Sequence, residues 1–261
     1  MKKATYKNIR TAAIKYYKSL DINEVKKEFL KQGLLNQNAK LAKSKNGESN
    51  NWGLELVPSD LIGSFNFCGQ ETTCKFECLF FSGTQNILKS NSIIKGELSH
   101  AIKKRIRRAF LYLTDQGFFY SLLAQNITNK NEIAKLQGQK VEIRLNVFSD
   151  LDWTAFMDSL TEIKFYDYTK FWDRSSPSNC DITYSASERT TIKQIHEKIN
   201  QGHNVAMVFN GKLPESYDGI EVIDGDLSDS RMNDKKGCIV GLKVKQTVKR
   251  KEDKNTFTNQ Y

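Results

Sequence analysis

The chain has 261 residues, 39% of them hydrophobic and 11% aromatic, enough to bury a sizeable core and to exclude global disorder. Lys+Arg number 40 against 30 Asp+Glu, a net charge of +10 that suits a polyanionic partner, nucleic acid or nucleotide, or else solvated lysine faces. No apolar run reaches bilayer length, no signal-like stretch follows MKKATYKNIR, and 5 cysteines cannot form a complete disulfide framework, so a cytoplasmic protein without membrane contact is expected.

The first segment, residues 1–46, reads as a basic helical extension. Ile9, Ala13, Tyr16 and Tyr17 make one apolar stripe, and Val25, Phe29 and Leu34 make another. Packing on the main body is the simplest use of such stripes. The polar run KSKNGESNN then reads as a loop. The main domain, 47–246, opens with a short strand at WGLELVP. A long helical pattern follows from Leu98 to Ile127, with Gly117 as the expected break. From Gly138 onwards the texture alternates: strand KVEIRLNVF, helix Trp153–Ile163, strand KFYDY, strand DITYS, helix Glu188–Asn200, then strands NVAMVF, IEVID and CIVGLKV. A polar basic tail, 247–261, closes the chain.

Short apolar strands alternating with helices predict an α/β fold with mostly parallel strands. A complete or partial β/α barrel fits best, with an open doubly wound sheet second. In such folds functional groups gather beyond the carboxyl ends of the strands. Asn146, Ser149, Asp150, Asp167, Lys170, Ser185, Ser187, Asp224 and Asp226 stand there. Arg144, Asn146 and Asp150 share a parity and are expected on one face. Tyr166 and Tyr168 are expected on the face opposite Asp167.

Three cysteines, Cys68, Cys74 and Cys78, crowd into FNFCGQETTCKFECLFFSG with spacing C-x5-C-x3-C. Three thiolates can hold three irons of a four-iron cluster and leave the fourth open to S-adenosylmethionine. The familiar spacing for that chemistry is C-x3-C-x2-C, from which this loop departs. Zinc, with His100 completing a Cys3His set, is the rival, and three cysteines without any metal are a further reading. Asp224, Asp226, Asp229 and Asp234 form an acidic segment able to take a divalent cation such as magnesium, or to make an ordinary turn. Asp229 suits the turn better. Arg231 could pair with one of them or hold an anionic substrate. Lys170 at a strand exit suits an ion pair better than a Schiff base.

Lys103, Lys104, Arg105, Arg107 and Arg108 form the best nucleic-acid candidate, although they cover several faces of their helix. Neighbouring Phe118, Phe119 and Tyr120 have a spacing that suits core as well as base stacking. Cys180 and Cys238 are isolated, and Cys238 reads as a small core residue. No H-x-H, H-E-x-x-H, G-x-S-x-G or Walker pattern occurs, which removes the common zinc hydrolases, serine hydrolases and P-loop ATPases.

Together, CLFFSG, RLNVFSD, FYDYTK, TYSASE, NVAMVF and VIDGD-x2-D-x-R resemble the phage gene product 88 family, from about Trp52 to Lys245. The resemblance implies a phage or mobile-element origin and a place in the host cytoplasm. It implies no catalytic residues. The leading expectation is an enzyme with a cysteine-held 4Fe-4S cluster and S-adenosylmethionine. Its substrate side would be lined by Asn146, Asp150, Asp167, Lys170, Asp224 and Asp226, with Ser185, Ser187 and Arg231 binding the cofactor. The alternatives are a basic DNA- or RNA-binding protein with structural zinc and a divalent-metal nucleic-acid-processing enzyme built on the aspartates.

Overall fold

The computed structural model describes residues 6–38, 41, 49–63, 65–81 and 96–244. The tail after Val244 and most of the KSKNGESNN run lie outside the described residues. Helices α1 (Tyr6–Lys18) and α2 (Ile22–Gln32) lead into β1 (Leu35–Asn36) and β2 (Ser49–Leu54). Then come α3 (Cys74–Glu77), a 3-10 turn at Leu79–Phe81, α4 (His100–Thr114), α5 (Gln116–Leu136) and β3 (Lys140–Arg144). The alternation continues with α6 (Thr154–Asp158), β4 (Lys164–Thr169), β5 (Cys180–Ser185), α7 (Ile192–Asn200) and β6 (Asn204–Phe209). A hairpin, β7 (Ser216–Tyr217) and β8 (Ile220–Asp224), and β9 (Ile239–Lys243) complete it.

The strands form one sheet of nine among the described residues, in the order β1-β2-β3-β4-β5-β6-β9-β8-β7. The neighbours from β2 to β8 are parallel, and β1 and β7 add antiparallel ends. The sheet is not closed, so the complete barrel is not formed. From β2 to β6 each strand lies beside its predecessor, which carries all their carboxyl ends to one side.

Alternation along the strands gives the sheet two unlike faces. Val141, Ile143, Phe165, Ile182, Val205, Met207 and Ile239 enter the main hydrophobic core under the helices. Their neighbours in sequence, among them Asn51, Glu142, Arg144, Tyr166, Tyr168 and Thr183, face the other way. Tyr166, Ala206 and Val240 are buried but stand outside that core, as the second face requires. The segment after β8 covers this polar face through Asp229 and Ser230, which reach Arg144 and Glu142.

Several local expectations are corrected. Ser49–Asn51 begin β2 instead of ending a loop, because a strand with one polar face tolerates polar residues. The α4–α5 break falls at Asp115, whose carboxylate caps Phe118 N at 3.0 Å, and not at Gly117. β3 stops at Arg144, so parity is lost beyond it. Arg144 reaches Tyr166's partner Asp229 on one face, whereas Asn146 reaches Asp167 on the other. The helix after Trp153 is confined to Thr154–Asp158.

Gly225 shows how tightly β8 and β9 fit. An added Cβ would stand 2.5 Å from Val240 Cγ1, 2.9 Å from Leu242 Cδ2 and 3.1 Å from the Gly241 carbonyl oxygen. Gly225→Ala is therefore expected to destabilise by about 1–3 kcal/mol, read as a lower urea midpoint with an unchanged slope.

Candidate active site

The cysteine loop leaves β2 and is laid against the carboxyl end of β3. Phe67 N donates to Ser59 O at 3.0 Å and Asp150 N donates to Phe67 O at 2.7 Å. Cys68 then makes a parallel bridge with Asp150, and its thiol lies 3.5 Å from Phe148 O. Cys74 opens α3 and Cys78 closes it. All three are half-buried free thiols. Cys78 raises the pKa of the Cys68 thiol, Cys74 raises that of Cys78, and all three raise that of Lys170.

Lys170 follows β4 directly, its N–H held by Asp150. Burial works against its charge, but Cys74, Asp150, Cys68 and Cys78 outweigh that and hold the ammonium above its ordinary pKa. Burial pushes the Cys68 thiol up and the Cys78 thiol up to about 11, with the adjacent sulfur adding in each case. The site therefore gathers three sulfur donors and one cation at the strand ends.

Asp150 fixes this arrangement. Its carboxylate accepts from Thr169 Oγ1 at 2.8 Å, Lys170 N at 2.8 Å and Arg174 Nη1 at 3.0 Å. The cysteine loop and the exit of β4 thus share one anchor. Glu188, in the loop after β5, accepts from Thr73 N at 2.7 Å at the start of α3. On the far side, α1 reaches the same loop. Tyr6 Oη donates to Asp60 Oδ1 at 2.7 Å, Arg10 pairs with Asp60 at 3.1 Å, and Lys75 beside Cys74 pairs with Asp60 at 2.7 Å.

The other expected site residues do not join the cysteines. Asn146 serves the protein itself. Its Nδ2 donates to Leu151 O and to Asp167 Oδ2 at 2.6 Å, and its Oδ1 accepts from Ser149 Oγ, Leu151 N and Trp153 Nε1. Asp167 sits with it on the apolar face. Asp224 pairs with Lys243 Nζ at 3.0 Å, and Asp226 accepts from Lys243 N at 3.0 Å, which ties both to β9. Ser187 Oγ accepts from Arg189 N in a local turn, and Ser185 stands half-buried at the end of β5. Arg231 is buried, bonded to the carbonyls of Ser228 and Asp229 and paired with Asp234, so it pins its own loop.

The basic helix is largely internal. Arg105 pairs with Glu55 at 2.9 Å under the rings of Phe80 and Phe148. Arg107 binds Tyr16 and Glu28, Arg108 is 1% exposed against Phe29, and Lys103 lies over Tyr16. Half-buried Lys104 and Lys103 remain partly open to solvent. These arginines knit α1 and α2 onto α4, and they form no phosphate-facing stripe. Phe119 is likewise core, beside Trp153. Sequence reasoning missed Glu188, Arg174 and Asp60 as supports of the site, because their partners are 115, 24 and 54 residues away along the chain.

Three thiols are soft donors of the kind that hold zinc or an iron–sulfur cluster once deprotonated. In a cluster each thiolate takes a different iron, so the sulfurs stand apart, whereas a single ion draws its ligands around one point. Among the described residues no group of three or more His, Cys, Asp or Glu side chains stands close enough to hold a metal ion, the three cysteines included. The three cysteines with His100 form no such group either, and Asp224 and Asp226 belong to none.

Residues 29–260 match the family described as Gene product 88. The chain belongs to that family. The match begins within α2 and runs into the tail, wider than the motifs alone suggested, and leaves α1 outside. No curated protein and no solved structure matches the chain. Among the described residues no helix is long and apolar enough to cross a membrane.

Proposed function

We propose that this member of the gene product 88 family is an enzyme with an iron–sulfur cluster on Cys68, Cys74 and Cys78. It uses S-adenosylmethionine and acts on a nucleotide or nucleic acid. The observation that carries this is the meeting of three cysteines with Lys170 beyond the carboxyl ends of parallel strands. The winding of β2 to β6, each strand beside the last and in the same direction, is read as a partial β/α barrel with the cysteine loop at its mouth.

When bound, the cluster supplies one-electron chemistry and an open iron that chelates the amino and carboxylate groups of S-adenosylmethionine. The chain's own residues have supporting tasks. Lys170 offsets negative charge on the sulfurs, and the burial around it strengthens that effect by excluding water. Asp150 holds the Lys170 backbone and the cysteine loop in one register. Glu188 and the Asp60 cluster hold the two sides of the α3 segment. The net charge of +10 favours an anionic substrate, and the internal use of Arg105, Arg107 and Arg108 favours a nucleotide over a long nucleic acid.

Anaerobically purified protein is expected to be brown, with roughly four irons and four sulfides per chain, and each of Cys68→Ala, Cys74→Ala and Cys78→Ala is expected to lose most of both. Colourless protein with neither iron nor sulfide after anaerobic reconstitution would remove the proposal.

A further inference from the structure

Deeper on the polar face of the sheet, three side chains are left short of hydrogen-bond partners by the protein itself. Asn51 of β2 and Glu142 of β3 stand side by side in register, and Arg144 follows two residues along on the same face. Asn51 is 1% exposed, Glu142 7% and Arg144 9%. Asn51 Nδ2 and Oδ1, Glu142 Oε2 and Arg144 Nε lack a partner, while Ser230 bonds the Glu142 carboxyl and Asp229 bonds Arg144 Nη1. Buried polar groups are nearly always bonded, and each orphan costs about 1–3 kcal/mol. Four such atoms on neighbouring strands mark a place built to meet a ligand.

The chemistry of the ligand follows from what is already matched. Arg144 is paired with Asp229 at 3.1 Å and Arg231 with Asp234 at 2.8 Å, so an anionic ligand group would have to break an existing pair. Asn51 offers a donor and an acceptor together, Glu142 an acceptor and Arg144 a donor. The rings of Tyr166 and Tyr168 share the face, and Arg144 lies 4.6 Å from the centre of the Tyr168 ring. That set complements a flat, uncharged heterocycle whose edge carries an acceptor next to a donor, as a nucleobase does.

We propose that Asn51, Glu142 and Arg144 bind the base of a nucleoside or nucleotide. This rests on the function proposed above only in taking that molecule as the substrate, since the binding itself needs no metal.

The test is calorimetric titration of the full chain as purified, its iron content measured in the same sample, with adenosine, guanosine, cytidine, uridine and thymidine. One of these is expected to bind saturably. Asn51→Leu should weaken that binding about 5- to 150-fold, the value of one bidentate contact. The same variant should unfold at an equal or higher urea concentration, because it removes an amide that the fold does not satisfy. Glu142→Gln, of the same shape, should also weaken binding. Three outcomes overturn the inference: no nucleoside saturating at about 1 mM, unchanged affinity in both variants, or a clearly destabilised Asn51→Leu, which would mean the amide serves the fold. Binding by an iron-free sample would count against the cluster alone. An iron-loaded sample without nucleoside affinity would count against this inference alone.

Discussion

Asp229→Ala is expected to cost the fold about 3–5 kcal/mol, the penalty for removing one member of a buried ion pair. Both carboxylate oxygens of Asp229 accept from Arg144 Nη1, at 3.1 and 3.2 Å, and one also accepts from Tyr166 Oη at 3.0 Å. The carboxylate is fully buried. Without it the Arg144 guanidinium, whose Nε already lacks a partner, would be a buried charge with no counter-ion. The loop after β8 would also lose its main attachment to the polar face. Arg144→Met combined with Asp229→Leu should recover most of the loss, because replacing both charges by apolar groups removes the desolvation penalty on each side. Urea unfolding of the unaltered protein and these two variants measures this. A loss below about 1 kcal/mol in Asp229→Ala would show that the pair does not hold the loop.

The second large effect is on the pH dependence of stability, through Asp167. Burial raises its carboxyl from 3.8 to about 7, although Arg144 and the Tyr168 amide act in the opposite direction. Between those values the folded protein keeps a proton that the unfolded chain releases. Stability from this group is thus fully present below about pH 4 and is lost as the pH rises through 7. At about 1.36 kcal/mol per unit, the loss between pH 4 and pH 8 is roughly 3 kcal/mol. Asp167→Asn carries no proton to lose, so its stability should fall less over that range. Unfolding free energies of both proteins at four or five pH values decide the matter, and parallel curves would show that Asp167 titrates normally. The hydrogen bond from Asn146 ties this group to the 146–153 turn.

Helix α1 lies outside the family match yet touches the cysteine loop through Tyr6 and Arg10. Residues 1–46 are consequently no detached extension in their described part. Arg107 joins α1 and α2 to α4, and Lys26 pairs with Asp115 at the α4–α5 junction.

The sequence by itself determined the order of elements after Gly138, because apolar alternation and helical spacing are local and repeat every few residues. It also determined the sulfur-rich loop, which a short stretch of chain declares by composition alone. Tertiary structure decided what sequence spacing cannot encode. Lys170 became the cation beside the three cysteines because β4 lies next to β3. The basic helix became an internal clamp because Glu28, Glu55 and Tyr16 meet it from elements far away in sequence. Asn146 and Arg144 parted faces because β3 ends between them, and Asp229 became a buried partner because a later loop folds back over the sheet. Charges and hydrogen bonds acquire their roles from neighbours in space, and only the assembly of the sheet with its loops brings those neighbours together.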